Sequence, residues 1–341
     1  MKVLLSNAFT GLPQTPGAER LKQNFCQLMS VLPVVSGIIF EHQSHSKDTI
    51  DISLRLSNKD GTLNYFIEQL SNNPNYDEIH ASPAWKFICS FLSKFGNNFD
   101  DCWLEFDDEH LQKKVPSPSI LINPCQEQLH NSVSNLINEL TDLGHGDFSS
   151  RTLQNFSILT KSIASESFKE IEIHYVGIMV ARGSSSIRCC IKIPLLKLKE
   201  FVEHHQLPIN STNLQRATHC HLLDYVNEVV LSIDIADQVS SRIGIEYPIK
   251  NPDSASSLYR LLADSYSLDC EWIWDIWKRD DPILSTLLRK RDIFTIPFLS
   301  EQKDHTYSTY SRRFNHLKLV FDRHSQVELK TYLYLAFGWY S

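Results

Sequence analysis

Residues 314–337 decide the fold. Phe314-Asn-His-Leu-Lys-Leu-Val-Phe321 and Leu329-Lys-Thr-Tyr-Leu-Tyr-Leu-Ala-Phe337 flank the turn Asp322-Arg-His-Ser325. Successive residues of a strand point to opposite faces. Leu317, Leu319 and Phe321 therefore share one face, and His316 and Lys318 share the other. In the second segment Leu329, Leu333, Leu335 and Phe337 oppose Lys330, Tyr332 and Tyr334. Two period-2 runs around a short polar turn predict an antiparallel hairpin.

The same rhythm extends backwards. Glu172–Arg182 and Ser186–Ile193 read as strands joined at Gly183-Ser-Ser, and Val229–Ile235 and Arg242–Tyr247 as another pair. Helical stretches over 195–205, 213–226 and 256–268 follow these pairs, giving ββα units with hairpins rather than parallel crossovers. Arg188 and Lys192 oppose Ile187, Cys189, Ile191 and Ile193, while Arg242 and Glu246 oppose Ile243 and Ile245. In the first half, Ile50, Ile52, Leu54 and Leu56 alternate with Asp51, Ser53 and Arg55. Trp103, Glu105 and Asp107 oppose Leu104 and Phe106, and Ser119–Ile122 is a further strand. Helical stripes comprise Leu21/Phe25/Leu28/Leu32, Leu129/Val133/Leu136/Leu140/Leu143 and Leu153/Phe156/Leu159/Ile163. Another, Trp85/Ile88/Leu92/Phe95, follows Ser82-Pro83, an N-cap and N1 pair.

A half-solvated sheet also alternates. Here, however, the polar faces carry Arg, Lys, Tyr and single carboxylates more than Ser and Thr, and enough amphipathic helices exist to cover the apolar faces. The expected fold is α+β: an antiparallel sheet closed into a barrel with a polar lumen and surrounded by helices. It is expected to form one domain over 1–341, with the clearest rhythm at 171–337. Six cations, Arg55, Arg188, Lys192, Arg242, Lys318 and Lys330, would converge on one anionic ligand, and several fixed cations suit a diphosphate.

The motifs Arg188-x-x-x-Lys192, Lys318-x-Val-Phe321 and Lys330-x-Tyr-x-Tyr334 on ββα units resemble the barrel-fold (ABBA-type) aromatic prenyltransferases. The resemblance implies that Arg188, Lys192, Lys318 and Lys330 hold an allylic diphosphate. It implies also that Tyr332 and Tyr334 shield the allyl cation and that Glu105 faces the aromatic acceptor, a small molecule or a peptide. The candidate catalytic residues are Glu105 and Asp107. The candidate substrate-binding residues are Arg55, Arg188, Lys192, Arg242, Glu246, His316, Lys318, Lys330, Tyr332 and Tyr334. No cofactor is firmly implied, and Mg2+ stays open. The resemblance covers mainly 171–337; the first half departs from it, showing single strands split by a helix.

Two other readings share these residues. One is a C–C bond-forming or cyclising enzyme acting on a carboxylate or enolate. The other is a barrel that holds an anion without chemistry.

Other features lead elsewhere. Asp107-Asp-Glu-His110 lacks the last acid of a diphosphate-metal box and follows a strand. Asp100-Asp101 and Asp280-Asp281 read as surface acids. His219 and His221, on a predicted helix, would not share a face, and His204-His205 suits a helix end, so no metal site is read. There is no Walker or dinucleotide fingerprint, and Ser184-Ser-Ser186 is a turn. Trp272, Trp274 and Trp277 read as core, and Arg289-Lys-Arg291 as a solvated terminus.

Composition sets the outer bounds. The 341 residues carry a formal charge of -7, with 42% hydrophobic residues. That excludes a disordered chain and weighs against a broad nucleic-acid surface. Eight scattered cysteines form no C-x-x-C pair, and no apolar run approaches a bilayer span. The start lacks a secretory leader, so a cytoplasmic protein with free thiols and no membrane partner is expected.

Overall fold

A computed structural model describes residues 35–72, 82–124, 148–268 and 307–340 apart from isolated positions, together with a few residues elsewhere. The strands are β1 (Gly37–Gln43), β2 (Ser46–Ser57), β3 (Phe99–Phe106), β4 (Ser119–Pro124), β5 (Glu172–Ile178) and β6 (Ile187–Pro194). They continue as β7 (Glu228–Ile235), β8 (Val239–Pro248), β9 (Leu288–Arg289), β10 (Tyr307–Phe321) and β11 (Val327–Tyr340). Apart from β9, which only extends the start of β10, they pair in the order β11-β1-β2-β3-β4-β5-β6-β7-β8-β10. β10 then pairs with β11, so ten antiparallel strands close into a barrel. Closure removes both sheet edges.

The hairpins expected near 172–193, 229–247 and 314–337 are β5–β6, β7–β8 and β10–β11. The first half supplies two more, β1–β2 and β3–β4. The single strands read there were incomplete because β1 went unrecognised. Its lumen face begins with apolar Ile39, and its covered face ends in the fully buried His42, which blurs the alternation.

Among the described residues seven helices surround the barrel: α1 (Thr62–Asn72), α2 (Pro83–Phe95), α3 (Asp108–Leu111), α4 (Ser150–Ile163), α5 (Leu195–His204), α6 (Ser211–Ala217) and α7 (Pro252–Tyr266). The main core lies between them and the outer sheet face. Ile187, Cys189, Ile191, Ile193, Ile243, Ile245, Leu317, Leu319, Leu329 and Leu333 are all fully buried there. α2 begins as its sequence dictates, with Ser82 extended and Pro83 opening the helix. It buries Trp85, Phe87, Ile88, Phe91 and Leu92. The Trp85 ring sits 6.2 Å from Phe106 of β3, and its indole N–H donates to the Pro116 carbonyl at 2.7 Å. Each large ring removed from water contributes about 2–3 kcal/mol.

Two predicted elements are shorter than expected. β5 stops at Ile178 and gives way to a 3-10 turn, Val180–Arg182, closed by Gly183 at φ 60°. The helix read over 213–226 ends at Ala217, where the Thr218 hydroxyl turns back onto the Leu214 carbonyl. A 3-10 turn, Cys220–Asp224, follows. The stripe Leu129–Leu143, Trp272, Trp274, Trp277, Asp280-Asp281 and the side chains of Arg289-Lys-Arg291 lie outside the described residues. No helix among the described residues is long and apolar enough to cross a membrane.

Candidate active site

The barrel encloses a cavity of about 1020 Å³ to which all ten closing strands contribute side chains. Its walls follow from strand parity: once the apolar face of each strand packs under helices, the other face points inward. All but one of the predicted site residues line this cavity. They are Glu105, Asp107, Arg55, Arg188, Arg242, Glu246, His316, Lys318, Lys330, Tyr332 and Tyr334. The exception is Lys192. It lies four residues beyond Arg188, where the ladder runs toward solvent, and it is held at 3.3 Å by both Glu172 and Glu228. Arg242 sits at the rim, bonded to Glu328 at 2.5 Å.

Each of the six cations expected to meet an anionic ligand has a carboxylate partner within the protein. The Arg188 guanidinium donates to both oxygens of Asp234, at 2.7 and 3.0 Å, and lies 3.6 Å from Glu105. Lys318 donates to Glu246 at 2.9 Å, and Lys330 donates to Glu41. Arg55 donates twice to Asp101, at 2.5 and 3.1 Å. Arg182 forks onto Asp107 at 2.6 and 2.8 Å, which ties that candidate acid into an ion pair. Lys318 and Lys330 face each other directly across β10 and β11. Opposed like charges would be costly there; a carboxylate on each outer neighbour relieves the repulsion. Asp101, read from sequence as a surface acid, is buried, whereas Asp100 is exposed and pairs with Lys59.

Burial opposes charge throughout the lumen, but the pairs outweigh it at several groups. Burial pushes the Glu41 carboxyl up, yet Lys330 and Lys318 together bring it down to about 2. Glu246 is likewise lowered by Lys318 against burial. Lys318 and Arg188 are raised despite burial, by Glu246 and Asp234 respectively. At Asp51, burial and the Glu41 charge directly across the ladder outweigh the pull of Lys330 and lift the carboxyl to about 7. Burial also raises Glu105, which Arg188 only partly offsets. His316 is pushed down to about 4 by burial, against the pull of Glu246.

Beside the charged groups stands an aromatic wall. Tyr332, Tyr334 and Ile39 pack together, and Trp103 meets Tyr334 with ring centroids 6.0 Å apart. Tyr332 stacks on His316 at 3.8 Å. The wall is fixed by a hydrogen-bond chain. The Trp103 indole N–H donates to Tyr175 Oη at 3.1 Å, and Tyr175 donates to Asp101 Oδ1 at 3.1 Å. The other oxygen of Asp101 takes the Arg55 fork, and Arg55 Nη1 lies 3.4 Å from Tyr334 Oη. Asp101 thus orients a tryptophan, two tyrosines and an arginine at once.

Sequence reasoning missed Glu41, Asp101, Tyr175, Arg182 and Asp234. Asp234 was legible, since it falls on the parity of Ser232 and opposite Ile233 in a strand already read. Glu41 was not, because β1 was not. The acid touching the tyrosine wall is Glu41, directly across from Tyr332, whereas Glu105 leans toward Arg188.

No family model matches the chain, and no curated protein matches its sequence. Solved structures do share its architecture. AnaPT from Neosartorya fischeri superposes with a TM-score of 0.55 at 11% identity, covering 97% of this chain and 91% of that one. The prenyltransferase PriB, in its apo form, gives 0.54 at 9% identity, covering 97% and 93%. The 6-dimethylallyltryptophan synthase from Micromonospora olivasterospora, solved with DMASPP and Trp, gives 0.50 at 11% identity, covering 94% and 91%. The closed ten-stranded barrel with its ring of helices is the fold of the barrel-type aromatic prenyltransferases.

Proposed function

We propose that this protein transfers a prenyl group from an allylic diphosphate to an aromatic acceptor, a small molecule or a peptide side chain. The observation that carries this reading is the two-part lumen. Strand-borne Arg188, Lys318 and Lys330 share one cavity with a wall of Tyr332, Tyr334 and Trp103. A prenyl diphosphate has the same two parts, a multiply charged head and an apolar tail.

The diphosphate exchanges places with the carboxylates on Lys318, Lys330 and Arg188, taking over bonds that these cations already make. The allylic C–O bond then breaks and its electron pair leaves with the diphosphate, whose growing charge the fixed cations stabilise. The aromatic faces stabilise the allyl cation. The acceptor attacks the allylic carbon, and the proton it loses passes to a lumen carboxylate. The contact of Glu41 with the tyrosine wall supports it in that role, and the position of Glu105 beside Trp103 on the same strand face supports it as the other candidate.

The test is thermal unfolding with inorganic pyrophosphate or a thiolodiphosphate analogue, with and without Mg2+, followed by turnover with an acceptor panel. A specific ligand stabilises as RT ln(1 + [L]/Kd). Stabilisation lost in Lys318→Ala, and prenylated product lost in Glu41→Gln or Glu105→Gln, are expected. No stabilisation at millimolar ligand would overturn the proposal. The pairing of every lumen cation with an acid favours one alternative, an enzyme acting on a smaller carboxylate or enolate that displaces fewer partners. Stabilisation by carboxylates but not by pyrophosphate would select it.

A further inference from the structure

We propose that the turn His219-Cys220-His221 is a surface binding site for a thiophilic divalent metal ion, Zn2+, separate from the lumen. On a continuous helix, residues two apart point in different directions, and the motif would be inert. The chain is not helical there. His219 is extended, at φ -59° and ψ 138°, and the 3-10 turn Cys220–Asp224 begins after it. The His219 side chain swings back over the turn. Its ring lies 4.9 Å from that of His221, and its Nδ1 accepts the His221 backbone N–H at 3.4 Å. One donor atom from each of His219, Cys220 and His221 lies within 4.8 Å of the other two.

In a tetrahedral zinc shell, with bonds of about 2.0–2.3 Å, neighbouring donors stand roughly 3.3–3.8 Å apart. The three side chains need to close by at most about 1.5 Å from that 4.8 Å limit, and all three are exposed. The 3.4 Å contact at His219 is long and is given up at little cost. The backbone below is fixed. Ala217 and Leu222 are buried, the Tyr247 hydroxyl donates to the Ala217 carbonyl at 3.0 Å, and the Leu222 N–H closes onto the His219 carbonyl at 2.9 Å. The turn is therefore a rigid platform carrying exposed donors. Cys220 is also the one exposed cysteine among the described residues.

Two imidazoles and one thiolate form a borderline-soft set that suits Zn2+ rather than Mg2+ or Ca2+. Binding forms one Zn–S and two Zn–N bonds. The Cys220 thiol proton passes to solvent, so affinity rises with pH. Three protein donors leave the fourth position for water or an incoming ligand.

Titration of the full-length protein with Co2+, followed by displacement with Zn2+, tests the site independently of any prenyl transfer. A thiolate-to-cobalt absorption band with one-to-one stoichiometry is expected. Cys220→Ser should abolish the band, and His219→Ala and His221→Ala should each weaken binding tenfold or more. Far-UV circular dichroism should stay unchanged, since all three side chains are exposed. No band with the parent protein, or a band retained in full by Cys220→Ser, overturns the site. Unchanged affinity in both histidine variants overturns it equally, by reducing it to a lone thiol.

Discussion

Asp51 shows how one half-buried carboxylate couples the lumen to pH. It faces Glu41 across the ladder, with Lys330 and Asp107 nearby, and it accepts the Asp108 backbone N–H at 2.9 Å and the Gln43 amide at 3.1 Å. These neutral donors do not offset burial, and its pKa rises to about 7 from an ordinary 3.8. Between those values the folded protein keeps a proton that the unfolded chain has lost. Stability contributed by this site therefore falls as pH rises from about 4 to about 7 and then levels off. Each unit of displacement corresponds to ~1.4 kcal/mol, reduced here by the water the lumen admits. Asp51→Asn keeps the carbonyl acceptor and removes the ionisation. Its urea midpoint should gain on the parent at about pH 8 relative to about pH 4.5. An equal difference at both pH values would mean that Asp51 ionises normally.

At the scale of the element, two strand glycines separate what supports the sheet from what supports the site. A Cβ on Gly177 of β5 would lie 2.5 Å from the Ile120 carbonyl oxygen of β4, so backbone must move. A Cβ on Gly244 of β8 would lie 2.3 Å from Lys318 Cε, the far part of a flexible side chain. Gly177→Ala should therefore destabilise the fold by about 1–3 kcal/mol. Gly244→Ala should destabilise less, because only the Lys318 side chain has to shift, and should weaken pyrophosphate stabilisation by moving Lys318 from its place beside Glu246. Differential scanning calorimetry with and without pyrophosphate distinguishes them; equal loss of stability in both would refute the distinction. The C-terminal elements were legible in sequence for a simple reason. In β6, β8, β10 and β11, a largely apolar parity, broken on β11 by the buried Thr331, coincides with charge on the other face. β1 was hidden by Ile39 in the lumen and His42 under the helices, an inversion that only closure against β11 explains. Asp101 was hidden because Asp100-Asp101 reads as a surface pair until strand parity assigns one to water and the other to Arg55.

Across the whole molecule, the charge pattern differs from a simple cationic funnel. Parity identified the inward-facing cations but gave no measure of their partners, because Glu41, Asp101 and Asp234 reach them from neighbouring strands far apart in sequence. The consequence is measurable before any ligand is known. In an unopposed cluster, replacing Lys330 would relieve repulsion and cost the apo protein little. In this structure Lys330 holds Glu41, and its loss strands a carboxylate that Lys318 compensates only from further away. Lys330→Met should cost about 1–3 kcal/mol, less than for a fully dry pair because the cavity admits solvent. Glu41→Gln should also destabilise, and Lys330→Met/Glu41→Gln should recover part of the combined loss, with a coupling of about 1 kcal/mol or more. Chemical denaturation of the four proteins at neutral pH reads the cycle. If Lys330→Met instead stabilises the protein and the cycle shows no coupling, the lumen is a repelling cationic cluster, and a diphosphate would enter without displacing any acid.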